Sequence, residues 1–460
     1  MIEIKEINIE QALQKAKTKA IEQGKRALLS IAEPIAPIDP ILFFQSGSQY
    51  QVPRTFWSSA DHDFFLVGIG NEMTLHANND TYRQISVLWQ ELLEHTVVEH
   101  PFSNQKVGPI AFGGFPFDAD TNQYWQGFEG SQFRVPRFLL TKDKDHYFLT
   151  INVMVEHDED IETLSAQLVE DKQYLLSAPF HPLFTNAIAS KQEKQTEEWK
   201  QLVRQATAEI RENKMSKVVL ARQMEVTYHH EIVISQVLEH LRREQKNSYL
   251  FAWETEDACF VGATPERLVR VDEQHLLSTC LAGTAPRGES AEKDEQMGSF
   301  LMNDQKNRRE HQFVVDMIQE AVRSFAENVH IPDEPQLYRL KNLQHLYTPV
   351  RAKLRDEYTI LDVVAKLHPT PALSGFPRLA SLHFIRKYEQ MQRGWYGAPI
   401  GWIDQDFNGE FAVAIRSALV NKSSATLFAG CGVVEDSDPD IEFSETTIKF
   451  TPMLQALGGL

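Results

Sequence analysis

Apolar residues recur along this chain with two different periods. At Trp199, Leu202, Val203, Ala206 and Ile210 they fall three and four apart, the spacing that gathers one face of a helix. Thr196 stands ahead of them as a candidate N-cap, with Glu197 and Glu198 in the first turn. The same period predicts helices over about Ile9–Gly24 (Gly24 as the stop), Tyr82–Leu93, Ile232–Glu244 and Leu382–Met391. It also predicts a long helix from roughly Asp294 to Phe325, with a buried stripe of Phe313, Val314, Met317, Ile318, Ala321, Val322 and Phe325. Short apolar or alternating runs predict strands at Ala27–Ile31, Phe64–Ile69, Ile110–Phe117, Phe138–Leu140 and Tyr147–Val155. Further on they predict Lys217–Tyr228, Tyr249–Trp253, Cys259–Val271 broken near Pro265, His275–Leu281, a hairpin-like pair near Ala398–Val420, and Ala425–Val434. Asn186–Gln195 is polar and reads as a linker. Residues 1–190 therefore form one half of a large mixed sheet and 196–460 a second portion, together one integrated domain. Runs of neighbouring strands with long helices between them argue for an α+β sandwich, not a strictly alternating α/β sheet.

The charge balance narrows the partners. Among 460 residues, 46 Lys and Arg face 64 Asp and Glu, a net charge of −18. Such a surface repels nucleic acid and anionic membrane, and an anionic small molecule needs a local cluster of cations or a metal. Cys259, Cys280 and Cys431 are odd in number and scattered, which fits a reducing compartment and neither a disulfide framework nor a zinc site. The start, MIEIKEINIEQ, is charged throughout, and no run approaches the length of a membrane span. A cytoplasmic protein is expected.

Candidate chemistry begins at Ser437–Lys449. In a helix, Glu442, Glu445 and Lys449 fall at i, i+3 and i+7 on one face, and Asp438 and Asp440 suit the helix start. Ile441 and Ile448 flank the charged row, so part of this helix is expected to be buried. Just upstream, Gly430 and Gly432 in FAGCG mark a place where backbone can approach a ligand. An isolated ExxE also reads as a solvated acidic helix. Extending the stripe of the long helix backward lands on Glu310, a carboxylate where an apolar residue is expected. It suits either an ion pair with Arg308 or Arg309, or a metal shared with Glu445; hard oxygen donors without a Cys or His cluster point to Mg²⁺. Lys217 opens SKVVLAR on the face of Val219 and Ala221; it either snorkels out or stays buried as a candidate general base. Glu266 in GATPE gains interest as an acid only if it shares a cavity with Lys217. Arg416 ends FAVAIR, sharing its strand face with Ala412 and Ala414, where small neighbours leave room to grip a carboxylate. His345 and His368, in Pro-bounded segments, each read as structural taken singly. HExxH, P-loop and GxSxG motifs are missing, and the GIG at Gly68–Gly70 is no dinucleotide fingerprint.

Taken together these segments resemble the chorismate-utilising enzymes, and within them the isochorismate synthases. The resemblance rests on SKVVLAR, FVGATPERLV, LAGTAPRG, NRREHQFVV, LHPTPALSGFPR, GWYGAPIGWIDQDFNGEFAVAIRSAL, LFAGCGVVEDSDPDIEFSETTIK and TPML, in the family's order from about Thr196 to the C-terminus; SIAEPI and AFGGFPF extend it in outline. It implies a single α/β sandwich of two packed, mainly antiparallel sheets with helices outside. It implies Lys217 as the base that activates water for attack on C2 of chorismate, and Glu266 as the acid that protonates the departing C4 hydroxyl. Glu310 and Glu445 would hold Mg²⁺ against the ring carboxylate, with Glu442 supporting the shell through water. Arg416 and Lys449 would hold the enolpyruvyl carboxylate with backbone near Gly430, while Gly283, Thr284 and His345 would line the ring pocket.

The same resemblance separates this branch from its relatives. Lys217 stands where ammonia-using anthranilate-type enzymes lack a lysine, which favours water and removes the need for a glutamine amidotransferase subunit. Ala372 in PTPA stands where anthranilate and salicylate synthases typically carry threonine, which argues against pyruvate elimination. The PTPA segment also lacks the lysine nucleophile of many aminodeoxychorismate synthases. Asn307 departs from relatives that are acidic there. The expected activity is Mg²⁺-dependent isomerisation of chorismate to isochorismate for menaquinone biosynthesis. The alternatives are a salicylate synthase, a non-catalytic chorismate-binding subunit, and a siderophore pathway.

Overall fold

Two sheets face one another in this protein, each covering the apolar side of the other. The computed structural model describes residues 8–78, 81–102, 106–118, 125–177, 185–341 and 343–458; residues 1–7 of the charged N-terminal run lie outside them. The strands nearest the chemistry are β1 (Lys217–Tyr228), β2 (Cys259–Thr264), β3 (Arg267–Asp272), β4 (His275–Pro286), β5 (Leu343–Leu354), β6 (Gly409–Val413), β7 (Ser417–Asn421) and β8 (Ser424–Val433). Helix α1 spans Gln305–Arg323 and helix α2 Pro439–Ala456.

Among the described residues the first sheet has 13 strands. It runs Ile188–Glu193, β1, β8, β7, β2, Tyr249–Glu254, Arg54–Ser58, Phe64–Ile69, Phe138–Asp143, His146–Val155, Ala27–Pro34, Thr96–Glu99, with Gly375–Phe376 added beside β1. The second has 10 and runs Ala326–His330, β5, β4, β3, β6, Pro399–Asp404, Ile110–Gly114, Ser131–Val135, Met73–Ala77, with Gln336–Arg339 beside β5. Described pairings are antiparallel except that of Ala27–Pro34 with Thr96–Glu99. The architecture is the expected sandwich.

An aromatic layer that includes Trp57, Phe112, Trp253, Phe260, Trp395 and Phe428 fills the gap between the sheets. Its rings meet at distances such as 5.5 Å for Trp253–Trp395 and 5.0 Å for Trp125–Phe428, contacts each worth about 0.5–1.5 kcal/mol beyond their buried area. Helices cover the outer faces. Ile9–Gln23, Ile234–Glu244 and α2 contribute to one apolar cluster with the first sheet; Thr81–Glu94, α1 and Ile360–Leu367 contribute to another with the second.

Two of the places where the chain passes from one sheet to the other lie side by side near the middle of the sandwich. β2 lies in the first sheet and β3 in the second, with Pro265 and Glu266 between them; β6 lies in the second and β7 in the first, with Ala414–Arg416 between them. The crossings are tied together, since Val413 N–H donates to Glu266 O at 3.0 Å and Ala263 N–H to Arg416 O at 3.1 Å. Arg416 therefore does not continue the strand of Ala412: the strand ends at Val413, and Arg416 adopts φ +51° in the turn. Alternation along FAVAIR could not show this, because the turn is imposed by pairing to strands of two different sheets.

Other expectations change in detail. The polar stretch Asn186–Gln195 contains the edge strand Ile188–Glu193, whose backbone pairs with Met224–Tyr228 while its side chains stay largely exposed. An edge strand can be polar because only its backbone needs a partner. Thr196 is the first helical residue, and the N-cap position is Gln195. The long helix is two, Ala291–Asn303 and α1, broken at Asp304, whose carboxylate caps α1 by accepting from Asn307 N–H at 2.8 Å. Phe313 is 49 % exposed and stacks on Phe376, and the buried stripe of α1 starts at His311 instead.

Candidate active site

Lys217, Glu266, Gly283, Thr284, Glu310 and His345 line one cavity of about 270 Å³, and Ala372, Arg416, Gly430, Glu442, Glu445 and Lys449 complete it. His368 is elsewhere, buried with Nε2 3.0 Å from Phe117 O.

Alternation along β1 turns Lys217, Val219 and Ala221 to the cavity, as their spacing predicts. Lys217 does not snorkel out. It is 8 % exposed, and its Nζ donates to Glu310 Oε1 at 2.5 Å. The partner is thus neither Arg308, which pairs with Glu334, nor a helix neighbour of Glu310. The Lys217 ammonium holds the Glu310 carboxyl below its ordinary range against the opposing effect of burial. Gly432 makes room for this pair: a Cβ there would lie 2.6 Å from Lys217 Cε and 3.2 Å from Nζ.

Glu266 sits at the first crossing, buried to 8 %. Burial pushes its carboxyl up to about 7, while Lys217, Arg416 and Lys449 pull the other way. It keeps its proton up to about pH 7, and a buried neutral carboxylic acid is a donor. The cavity thus holds a lysine on one strand and a protonated acid at a turn, the residue types needed to exchange protons with two points of a bound molecule.

The side chain of Arg416, at the second crossing, makes no hydrogen bond or ion pair among the described residues, and burial lowers its affinity for its proton. An uncommitted guanidinium at a cavity wall suits a carboxylate, which it grips with two parallel N–H donors. Lys449 Nζ donates to Gly430 O at 2.8 Å and to Glu445 Oε1 at 2.6 Å. On a protein of net charge −18, Lys217, Lys306, Arg393, Arg416 and Lys449 all converge on this one cavity.

Helix α2 begins as expected, with Asp438 accepting from Asp440 and Ile441 N–H at 2.9 and 3.0 Å. Its orientation differs from the expected one. Ile441 and Ile448 are 67 % and 51 % exposed, and the buried face runs through Glu442, Thr446, Phe450 and Met453. The seat of that face is Arg222 of β1. Its Nε donates to Thr446 Oγ1 at 2.7 Å, and its guanidinium lies 3.9 Å from the Phe443 ring centroid. This contact outweighs the two isoleucines and turns the carboxylates inward. Burial raises the Glu442 carboxyl, and Ser437 Oγ donates to its Oε1 at 2.7 Å.

Glu310 and Glu445 are hard oxygen donors at one cavity, each now paired with a lysine. No group of three or more His, Cys, Asp and Glu gathers as a cage among the described residues. This set fits a cation that takes one or two carboxylates and completes its shell with substrate oxygens and water, the habit of Mg²⁺.

Opposite lies a β-bulge. Register shifts between Ala282 and Thr284 against β5, and Gly283 occupies it with φ +75°, a conformation that favours glycine. His345 Nδ1 is 3.0 Å from Thr284 Oγ1 and 3.3 Å from Gly283 O. The carbonyl only accepts, so Nδ1 carries the proton and Nε2 is left as an acceptor, buried without a partner. Burial lowers this histidine to about 3, keeping it neutral. Asn307 Oδ1 accepts from Thr284 N–H at 3.2 Å, and its Nδ2 donates to Asp304 at 2.8 Å, so it braces the bulge against α1.

Tyr396, Arg393 and Lys306 also line the cavity and were missed in the sequence. An arginine beside a glycine and two aromatics in QRGWYGAP, directly before an apolar strand, was the available signal: such a charge has to be buried with partners. A Cβ on Gly430 would come within 3.3 Å of the Tyr396 hydroxyl.

Comparison with known proteins gives a consistent result. Residues 11–458 match the family described as chorismate binding enzyme. The chain is 42% identical over 450 residues to the isochorismate synthase MenF of Bacillus subtilis (strain 168), covering 96% of each chain. It is 38% identical over 443 residues to the salicylate biosynthesis isochorismate synthase of Pseudomonas aeruginosa, covering 94% of this chain and 91% of the other. A solved structure of MenF, the menaquinone-specific isochorismate synthase from Escherichia coli, superposes with a TM-score of 0.81 at 24% identity, covering 97% of this chain and 100% of that one.

Proposed function

The chain belongs to the family of chorismate-binding enzymes, and on that premise we propose that it is an isochorismate synthase in which Lys217 and Glu266 act as base and acid. Water approaches C2 of chorismate, and Lys217 takes its proton as the C2–O bond forms. The two ring double bonds shift one position, the C4–O bond breaks, and Glu266 gives its proton to the departing hydroxyl. One water enters and one leaves, so the net change is an isomerisation. Arg416 and Lys449 hold the enolpyruvyl carboxylate beside the Gly430 backbone. Gly283, Thr284, His345 and Ala372 shape the ring pocket. Bound at Glu310 and Glu445, with Glu442 behind them, Mg²⁺ would supply positive charge to the ring carboxylate.

The observation that carries this reading is Glu266, buried and protonated near neutrality in the same cavity as Lys217. A non-catalytic binding subunit has no use for such a pair. The match to MenF of Bacillus subtilis over nearly the full length of both chains supports menaquinone biosynthesis as the destination of the product. Described residues include no helix long and apolar enough to cross a membrane. The test is product analysis by NMR after incubating protein and chorismate with and without Mg²⁺. Isochorismate formed only with the metal, without pyruvate, is expected; salicylate with pyruvate, or binding without turnover, would overturn the assignment. Restored menaquinone in a bacterial strain lacking its own isochorismate synthase would test the pathway.

A further inference from the structure

Strand β1 carries Lys217, yet among the described residues the middle of one edge lacks a neighbouring strand. Its other edge pairs with β8 from Val218 to Thr227. On this edge Met224–Tyr228 pairs with Ile188–Glu193, and Lys217 and Val218 pair with Phe376 and Gly375. Between those two partners, Val219 and Ala221 turn their N–H and C=O groups toward a place where no strand runs. Unpaired, buried backbone groups of this kind are costly.

Each of the four is nevertheless satisfied. Val219 N–H donates to Ser374 O at 2.9 Å. Arg393 Nη2 donates to Val219 O at 2.8 Å. Glu389 Oε2 accepts from Ala221 N–H at 2.9 Å, and Trp199 Nε1 donates to Ala221 O at 3.1 Å. Arg393 and Glu389 also bind one another through two contacts, Nε–Oε1 at 2.6 Å and Nη2–Oε2 at 2.8 Å. Both side chains are almost fully buried, at 6% and 3% exposure. Arg393 further donates from Nη1 to Leu373 O at 3.1 Å, next to Ala372 of the ring pocket, and its guanidinium lies 4.2 Å from the Phe117 ring centroid.

We propose that the Arg393–Glu389 ion pair is a positioning device that stands in for the missing strand and sets where Lys217 lies in the cavity. A salt bridge needed only for stability could be placed anywhere in the core, and a buried pair is weak evidence for stability. This one spends its donors and acceptors on the backbone two and four residues beyond Lys217 and on the segment carrying Ala372. Loss of the pair leaves the strand free to shift along that edge, which moves the Lys217 amine relative to the attacked carbon. The inference rests on Lys217 as the base proposed above.

The experiment compares wild type, Glu389→Gln, Trp199→Phe and Lys217→Ala, each at saturating Mg²⁺, with kcat and KM for chorismate and thermal unfolding measured together. Glu389→Gln keeps the shape but turns an amide N–H₂ toward the guanidinium. The expected result is a fall in kcat of about 10- to 100-fold, because small displacements of a reacting group have effects of that size, with KM changed by less than about 3-fold. Trp199→Phe removes the donor to Ala221 O together with part of a buried ring that lies near Arg222 and Phe443, and is expected to lower kcat by a smaller factor in the same pattern. If Glu389→Gln does not fold, Trp199→Phe decides. Folded variants with unchanged kcat and a lowered Tm would reduce the pair to a purely structural role and overturn the proposal. Lys217→Ala separates the two ideas. If it retains turnover, the base assignment fails; if it is inactive while Glu389→Gln and Trp199→Phe keep wild-type kcat, only the positioning role falls.

Discussion

Replacing Glu266 by glutamine should raise stability and sharply lower turnover, and the size of the first effect follows from the site. A carboxyl moved from 4.5 to about 7 by burial is destabilised in its charged form by about 3 kcal/mol, at about 1.36 kcal/mol per pH unit. The folded-state value is raised, so the unfolded chain gives up this proton first as pH rises. The favourable contribution of the protonated acid is complete below about 4.5 and is lost as pH climbs through about 7. Glutamine has no proton to lose. Urea unfolding of wild type and Glu266→Gln at intervals from pH 5 to pH 8.5 should therefore show a gap that opens with pH and reaches about 3 kcal/mol in favour of the variant. In parallel, kcat of the variant should fall by about 10²- to 10⁴-fold, the range for loss of a general acid, and wild-type activity should decline above about pH 7 as Glu266 ionises. A stability gap that stays flat with pH, or one that widens toward acid, would refute the reasoning, because either requires a Glu266 that is charged at neutrality.

Three further outcomes follow from the geometry. Arg416→Ala should raise KM for chorismate by about 10- to 100-fold with a smaller effect on kcat, the value of a charged hydrogen-bonding partner, as read by steady-state kinetics. Gly432→Ala would put a methyl group 2.6 Å from Lys217 Cε; the flexible lysine end yields, so unfolding temperature should hold while turnover falls by about 100-fold or more. Glu445→Gln should raise the Mg²⁺ concentration for half-maximal activity by at least about tenfold, measured by metal titration of turnover and by calorimetry of metal binding without substrate.

Much of this site was legible because its residues contradict their surroundings. Glu310 falls in register with the apolar positions Val314 and Ile318, and Lys217 opens a strand whose cavity face is otherwise Val219 and Ala221. A charge in an apolar register is visible without coordinates. What was not legible depends on pairing between distant segments. The turn that frees Arg416 from its strand arises because β6 and β7 join different sheets. The inward rotation of α2, which buries Glu442 and exposes Ile441 and Ile448, is set by Arg222 more than two hundred residues away. The edge strand Ile188–Glu193 looked like a linker because its side chains are polar and largely exposed, and its backbone does the pairing. Arg393 and Tyr396 escaped because a run of glycine and aromatics reads as turn and core, and only the cavity shows which way the arginine points.

The paired crossings at Glu266 and Arg416 have a consequence for how this protein tolerates change. Each residue is flanked by strands of both layers, so the reach from one to the other is fixed by the two backbone hydrogen bonds that tie the crossings together and by the aromatic filling beside them. The molecule resembles a vice whose jaw opening is machined into the frame. Trimming a ring of that filling, such as Phe260, alters the calibre of the cavity, and the resulting defect would first be felt as altered discrimination among ring substrates. For the same reason, variation that leaves the filling intact, on the outer helices or the polar edge strand, can accumulate without disturbing the distance on which the chemistry depends.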